Sequence, residues 1–189
     1  MGDQPVARRP ANSRVTTEVI LTAALEVLGS HSTAEWTVDQ VAAKAGCAKG
    51  LVLYHFKSKE ALLLQVAERV RGNLESRRIT GLGSAKGAAA LDRLWTALVS
   101  DVKSGEFALW LGLLGDQKTR KAAGRATEED RRLIAGAAEA LGIRPESAAL
   151  GLIMPALDGF GLALLQGRNE SDVREGYDEF WLGVLSEAG

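Results

Sequence analysis

The sequence predicts an all-α protein of about nine helices, and three observations lead there. Almost every apolar position recurs at a spacing of three or four residues, the helical period, rather than two. Alanine, leucine and glycine abound while Tyr (2) and Phe (4) are scarce, which removes much of the usual strand vocabulary. The periodic stretches are also separated by recognisable start and stop signals. With 46% hydrophobic and 25% charged residues in 189, the chain has an ordinary globular composition and can bury one sizeable core or two small ones.

A first helix is expected over about 14 to 30, with Ile20, Ala24, Val27 and Leu28 as its apolar stripe and Gly29 and Ser30 near its end. In "WTVDQVAAKAG" Thr37 is placed to accept from the amide of Gln40 while the Gln40 side chain reaches back, and Trp36 to staple onto Val41. That second helix is short; Val38, Val41, Ala42 and Ala45 form its buried face, and Gly46 stops it in the left-handed conformation. A third helix starts near Ala48 and ends by Phe56, because Ser58 caps the next one and Glu60 suits its first turn. Two short helices joined by a glycine turn make a helix-turn-helix.

The fourth helix carries Leu62, Leu63, Val66, Val70 and Leu74, and frays at "GLGSAKG". Leu91, Leu94, Trp95, Leu98 and Val102 mark a fifth, and "EFALWLGLLG" a sixth that is apolar on nearly all sides. A charged helix is expected from about Asp116 to Leu141 before Gly142, with Pro145 opening the next. The last two, about 145 to 167 and 171 to 187, have apolar faces larger than one small core needs. Pro155, lacking an amide hydrogen, predicts a kink near Asp158. No internal repeat, low-complexity tract or sustained heptad appears.

The net charge of −1 means that any nucleic-acid binding must come from local clustering. Such a cluster exists: Lys44, Lys49, Lys57 and Lys59 fall in one stretch without a carboxylate among them. Leu51, Val52 and Phe56 read as the inward face of the third helix, leaving Lys49, Gly50, Leu53 and Tyr54 to face DNA. Gly50 permits close backbone approach and Leu53 suits a thymine methyl. Tyr54, His55, Lys57 and Lys59 suit the phosphate backbone, and Thr37 completes the candidate contact set. Lys49 also sits where helix amides favour phosphate.

Other classes find little support. The single Cys47 allows no intramolecular disulfide, and His31 and His55 cannot assemble a common zinc-ligand set, so no metal and no cofactor is expected. No paired carboxylates or nucleophile-base pair stands out, and Cys47 and His55 do not face each other by any helical count; an all-helical enzyme is the remote alternative, with no catalytic residue assigned. Residues 1–13, with Arg8 and Arg9, read as a flexible basic arm that, with Arg14, suits a minor groove or a phosphate. They hold no long apolar run, and the chain reads as cytoplasmic with no membrane partner.

The stretch "TVDQVAAKAGCAKGLVLYHFKSKEALL", residues 37 to 63, resembles the TetR-like one-component regulators of bacteria, and "ALDGFGLALL", residues 156 to 165, does so more loosely. Two positions depart from the pattern: Ala48 stands where a capping serine is frequent and Leu53 where a tyrosine is, each losing a hydroxyl. The resemblance alone therefore assigns no DNA contact to either. It implies a helix-turn-helix domain over 14–60, a ligand-binding and dimerisation domain over 61–189, and a homodimer formed through the last two helices. Small residues Gly159, Gly161, Ala163 and Gly167 would suit close helix approach there.

By the family's arrangement Trp95, Phe107, Trp110, Leu111, Leu114, Met154, Asp158 and Phe160 line an inner cavity for a hydrophobic or aromatic small molecule. Core packing is the competing reading of the apolar members, whereas Asp158 needs a partner if buried. The implied function is a ligand-responsive transcriptional regulator, by family habit a repressor, released from a palindromic double-stranded DNA operator by a small-molecule effector. The alternative is a DNA-binding dimer that ignores ligands or answers to oxidation of Cys47.

Overall fold

The computed structural model describes residues 15–30, 35–125, 128–144 and 147–188. Arg8, Arg9, Arg14, His31 and Pro145, named above, lie outside them. Among the described residues there are ten α-helices, one 3-10 turn and no strand, and the chain divides into two compact units, Met1–Val66 and Ala67–Gly189.

The first unit holds α1 (Thr17–Ser30), α2 (Val38–Lys44), α3 (Lys49–Phe56) and the opening turns of α4 (Lys59–Leu82). α1 packs on α2 and α2 on α3, around Ile20, Ala24, Trp36, Val41, Val52, Phe56 and Leu62, each at most 2% exposed. A capping box starts α2: the Gln40 amide donates to Thr37 Oγ1 at 3.2 Å, and the Thr37 amide to Gln40 Oε1 at 2.7 Å. Gly46, at φ +68°, ends it. Its amide donates to Ala43 O at 3.2 Å and the Cys47 amide to Ala42 O at 2.9 Å, the paired bonds of a Schellman stop. The chain therefore reverses within three residues, and this reversal sets the angle of α3.

The ends of α3 are less regular. Ala48 occupies the N-cap with extended backbone (φ −76°, ψ 146°) but offers no side-chain bond. Lys57 closes the helix at φ +67°, the one positive φ outside glycine among the described residues. Ser58 then caps α4 through Oγ, which accepts from the Ala61 amide at 3.0 Å.

The second unit comprises the rest of α4 and α5 (Ala88–Lys103), α6 (Glu106–Gly115), α7 (Arg120–Ala123), α8 (Glu128–Leu141), a 3-10 turn (Ala148–Leu152), α9 (Ile153–Leu165) and α10 (Glu170–Ala188). Its core gathers Leu94, Leu98, Leu133, Ala137, Ile153, Leu157, Tyr177 and Trp181. Each large aliphatic buried this way stabilises the fold by about 1.5–3 kcal/mol relative to exposure. The Tyr177 hydroxyl is buried but satisfied, donating to Leu91 O at 2.9 Å.

Three expectations are corrected here. The charged helix expected from Asp116 onward is two helices: Asp116 Oδ1 accepts from the Lys118 and Thr119 amides, and buried Thr119 donates to Leu113 O at 2.6 Å, so α7 is a single turn with its own start. Pro155 does not kink a helix interior. It sits in the first turn of α9, just after the 3-10 turn, where its missing amide hydrogen costs no intrahelical bond. Gly161 faces the protomer's own core rather than a partner helix: a Cβ there would lie 2.7 Å from Phe107 Cζ and 3.0 Å from Leu98 Cδ1. Gly167, at φ +79°, follows the end of α9. Gly159 has open space.

Candidate nucleic-acid interface and effector site

Helical spacing puts residues 50, 53 and 54 of α3 on one side, turned away from buried Val52 and Phe56, with Lys49 beside them in the first turn. Lys49, Gly50 and Tyr54 are exposed, Tyr54 at 70%, while Leu53 and His55 are half-buried. Leu51, expected to face inward, is also half-buried. Thr37 is exposed at the start of α2, its hydroxyl engaged in the capping box.

The lysines do not act as four free charges. Lys49 Nζ reaches Asp39 at 2.7 Å and Lys44 Nζ reaches Glu26 at 2.6 Å. Both pairs are more than half exposed and each is worth about 0–1 kcal/mol, so a phosphate can displace the carboxylate. Lys59 plays a structural part, since its ammonium donates to Trp36 O at 2.6 Å and lies 4.6 Å from the indole centroid, tying the start of α4 to the residue before the α2 cap. Lys57 donates to Tyr54 O at 2.9 Å and lies 5.1 Å from the tyrosine ring, covering the last turn of α3. His55 Nδ1 lies 3.1 Å from Thr17 Oγ1, which ties α3 to α1. Sequence spacing found the exposed face of α3 but could not see these partners, because Glu26, Thr17, Trp36 and Asp39 all lie upstream of it.

Cys47 is half-buried in the turn, and burial pushes its thiol above the ordinary value, away from the reactive thiolate. No group of three or more His, Cys, Asp or Glu fit to hold a metal occurs among the described residues.

Among the described residues, the eight side chains expected to line one cavity fall into several packing groups. Trp110, Met154 and Asp158 border a gap of about 10 Å³ together with Arg71, Leu74 and Arg78. Phe107 stacks at 5.6 Å on Trp110 and fills the notch at Gly161. Trp95 and Phe160 belong to an aromatic cluster around Tyr177, at 5.2 and 5.3 Å, and Leu111 and Leu114 are half-buried on α6. These aromatic side chains, packed on one another at tilted or edge-to-face angles, occupy interior space. The larger grooves lie elsewhere, one of about 580 Å³ between α4 and α5 bordered by Ser76, Thr80, Arg93 and Thr96.

What sequence reading missed is an ion-pair cluster on α4. Arg71 pairs with Glu75 and Asp130, both at 2.6 Å, and also donates to Ala123 O, as does the Trp110 indole. Arg77 pairs with Asp101 at 2.7 Å and with Glu106. Arg78, only 2% exposed, divides itself between Asp101 (3.0 Å) and Asp158 (3.3 Å). Burial pushes the carboxyls of Asp101 and Asp158 above the ordinary range, and the neighbouring guanidiniums offset this only in part. The signal was present in the four arginines of "RVRGNLESRR", three of which join the cluster, but without knowing which faces are buried the stretch reads as a solvated helix.

Residues 20–66 match the model of a family described as bacterial regulatory proteins, tetR family. An uncharacterised HTH-type transcriptional regulator, TtgW, of Pseudomonas putida is 34% identical over 89 residues, 47% of this chain and 61% of that protein. The HTH-type transcriptional regulator SrpR of Pseudomonas putida is equally similar over 47% of this chain and 38% of its own. The chain thus aligns with less than two thirds of each relative. The crystal structure of the TetR-like transcriptional regulator LfrR from Mycobacterium smegmatis, in complex with proflavine, shares the fold with a TM-score of 0.59 at 19% identity, over 87% of this chain and 94% of that one. The relatives it matches are regulators rather than enzymes. Residues 20–66 thus resemble the tetR family of bacterial regulatory proteins, and the fold is shared with a TetR-like structure along most of the chain.

Proposed function

We propose that the protein is a DNA-binding transcriptional regulator that leaves its operator when a small molecule binds its second unit. The observation that carries this reading is the exposed face of α3, with Lys49, Gly50, Leu53 and Tyr54 side by side after the Gly46 turn. A helix so presented suits the major groove: Lys49 reaches phosphate, Leu53 a thymine methyl, and Gly50 lets the backbone come close. Lys57 and His55 steady the end of the helix beside the backbone, and Lys59 holds the frame.

The protein acts as a homodimer on a palindromic operator in the cytoplasm, pairing through α9 and α10. Leu152, just before α9, and Leu162, Leu165 and Leu182 are 39% to 67% exposed, a set of apolar side chains that a second copy would cover. The effector is a hydrophobic or aromatic molecule, in keeping with LfrR, which is seen with proflavine. Ligand binding disfavours the spacing of two recognition helices that successive major grooves require, about 34–36 Å. Typical coupling of about 1–3 kcal/mol lowers operator affinity about 5- to 150-fold. Repression is the direction this release implies. The oxidation reading is weaker, since burial pushes the Cys47 thiol above its ordinary value, away from the reactive thiolate.

The test is fluorescence anisotropy of a labelled duplex from upstream of the protein's own gene. Replacing Lys49→Ala and Tyr54→Ala together, both exposed, is expected to weaken binding by about 1–3 kcal/mol while leaving the melting temperature unchanged. Wild-type affinity in the double variant would exclude α3 as the reading element.

A further inference from the structure

Asp39 is the one carboxylate carried by α2 and α3, and the chain has no other until Glu60. Buried Val38, Val41 and Ala42 turn it outward, and its Oδ2 lies 2.7 Å from Lys49 Nζ, the ammonium that opens the exposed face of α3 beside Gly50. An acid on a surface that meets DNA repels phosphate, and this one is seated on a lysine that the proposed reading assigns to phosphate.

The structural uses of Asp39 are slight. α2 is capped by Thr37 and Gln40 without it, and a carboxylate in the first turn adds only a weak attraction for the helix amides. Both members of the Asp39–Lys49 pair are more than half exposed, so the pair opens easily and holds little of the fold together. Opening it has a consequence for the acid. When Lys49 moves to a phosphate, Asp39 loses its donor and stays beside the covered groove, where water no longer replaces that donor freely.

We infer that Asp39 is a specificity-determining residue of the proposed reading face, and that it accepts a hydrogen bond from the exocyclic amine of a cytosine when Lys49 leaves it for phosphate. The major-groove edges of the four bases differ in what they offer a carboxylate. Cytosine presents N4 as a donor. Guanine presents the acceptors N7 and O6, and thymine the acceptor O4, so over either base Asp39 is left unpaired. Adenine presents the N6 donor but sets the acceptor N7 beside it. A lysine on phosphate is blind to sequence by itself; the acid that it abandons makes that contact conditional on one base. This rests on the DNA-binding reading of α3, and adds a base of the operator and the residue that selects it.

The experiment is selection from a randomised duplex library by the full-length wild type, Asp39→Ala and Asp39→Asn, each at the same salt concentration, with the enriched sequences read position by position. Wild type is expected to enrich a symmetric sequence in which one position of each half favours cytosine about tenfold. Asp39→Ala is expected to keep the rest of the sequence and level that position to within about threefold, and Asp39→Asn to turn it toward adenine, whose N6 and N7 an amide can pair with. On a duplex lacking the cytosine, Asp39→Ala is expected to bind about threefold more tightly than wild type by anisotropy, because the unpaired acid is gone. A carboxylate that only braces Lys49 predicts one common change of affinity on every duplex and the same enriched sequence in all three proteins. That result, or a cytosine preference that survives Asp39→Ala, overturns the inference and keeps the regulator. Wild type that enriches no sequence overturns both.

Discussion

Ala48 shows how a single side chain can leave a helix end incomplete. Its backbone already has the extended geometry of an N-cap, but alanine cannot accept from the first amides of α3. The position is exposed, so a serine fits without steric cost. Ala48→Ser is expected to stabilise the first unit by about 0.5–1 kcal/mol, read as a higher midpoint in denaturant melts of the wild type and variant side by side; an unchanged or lower midpoint would mean those amides are already satisfied. At this scale the sequence was legible where partners are local. Thr37 with Gln40, Gly46 and Ser58 each act on residues no more than four positions away, and each does in space what its spacing implies. Lys59 and Asp158 were not legible in this way. The partner of Lys59 lies 23 residues off and that of Asp158 lies 80 off, and no periodicity reports such a pairing.

At the scale of elements, helix existence was plain and helix use was not. The positions of α1 to α6 follow from their apolar stripes, because a stripe needs a core whatever that core is. The split into α7 and α8 was hidden, since Thr119 and Asp116 read as ordinary polar residues until their carbonyl and amide partners are known. The surroundings of the expected cavity residues were hidden similarly: Trp95, Phe160 and Phe107 have the composition of a ligand pocket and make contacts within a packed interior. α9 and α10 remain the elements with apolar surface to spare. Leu182, 67% exposed on α10, is the most accessible of their leucines. Leu182→Glu is expected to leave helicity intact and shift sedimentation equilibrium from dimer toward monomer, because a buried unpaired carboxylate at a self-complementary interface repels its own copy. A variant that sediments as wild type would place the dimer contact on another face.

For the molecule as a whole, the charges decide what kind of binding is possible. With a net charge of −1 the protein has no global field to draw it to DNA, and Asp39 and Glu26 already neutralise two of the lysines near the turn. No described helix is long and apolar enough to cross a membrane. On the proposed reading, binding to DNA is local, carried by a few contacts repeated in two subunits, and those contacts release counterions. The measurement that tests this most directly is the salt dependence of operator affinity for the wild-type protein, by anisotropy at a series of potassium chloride concentrations. With Lys49 and Lys57 contacting phosphate in each subunit of a dimer, the logarithm of the association constant should fall against the logarithm of salt with a slope of about −3.6. A slope near zero would contradict the account, since it would mean that the α3 face does not meet the phosphate backbone at all.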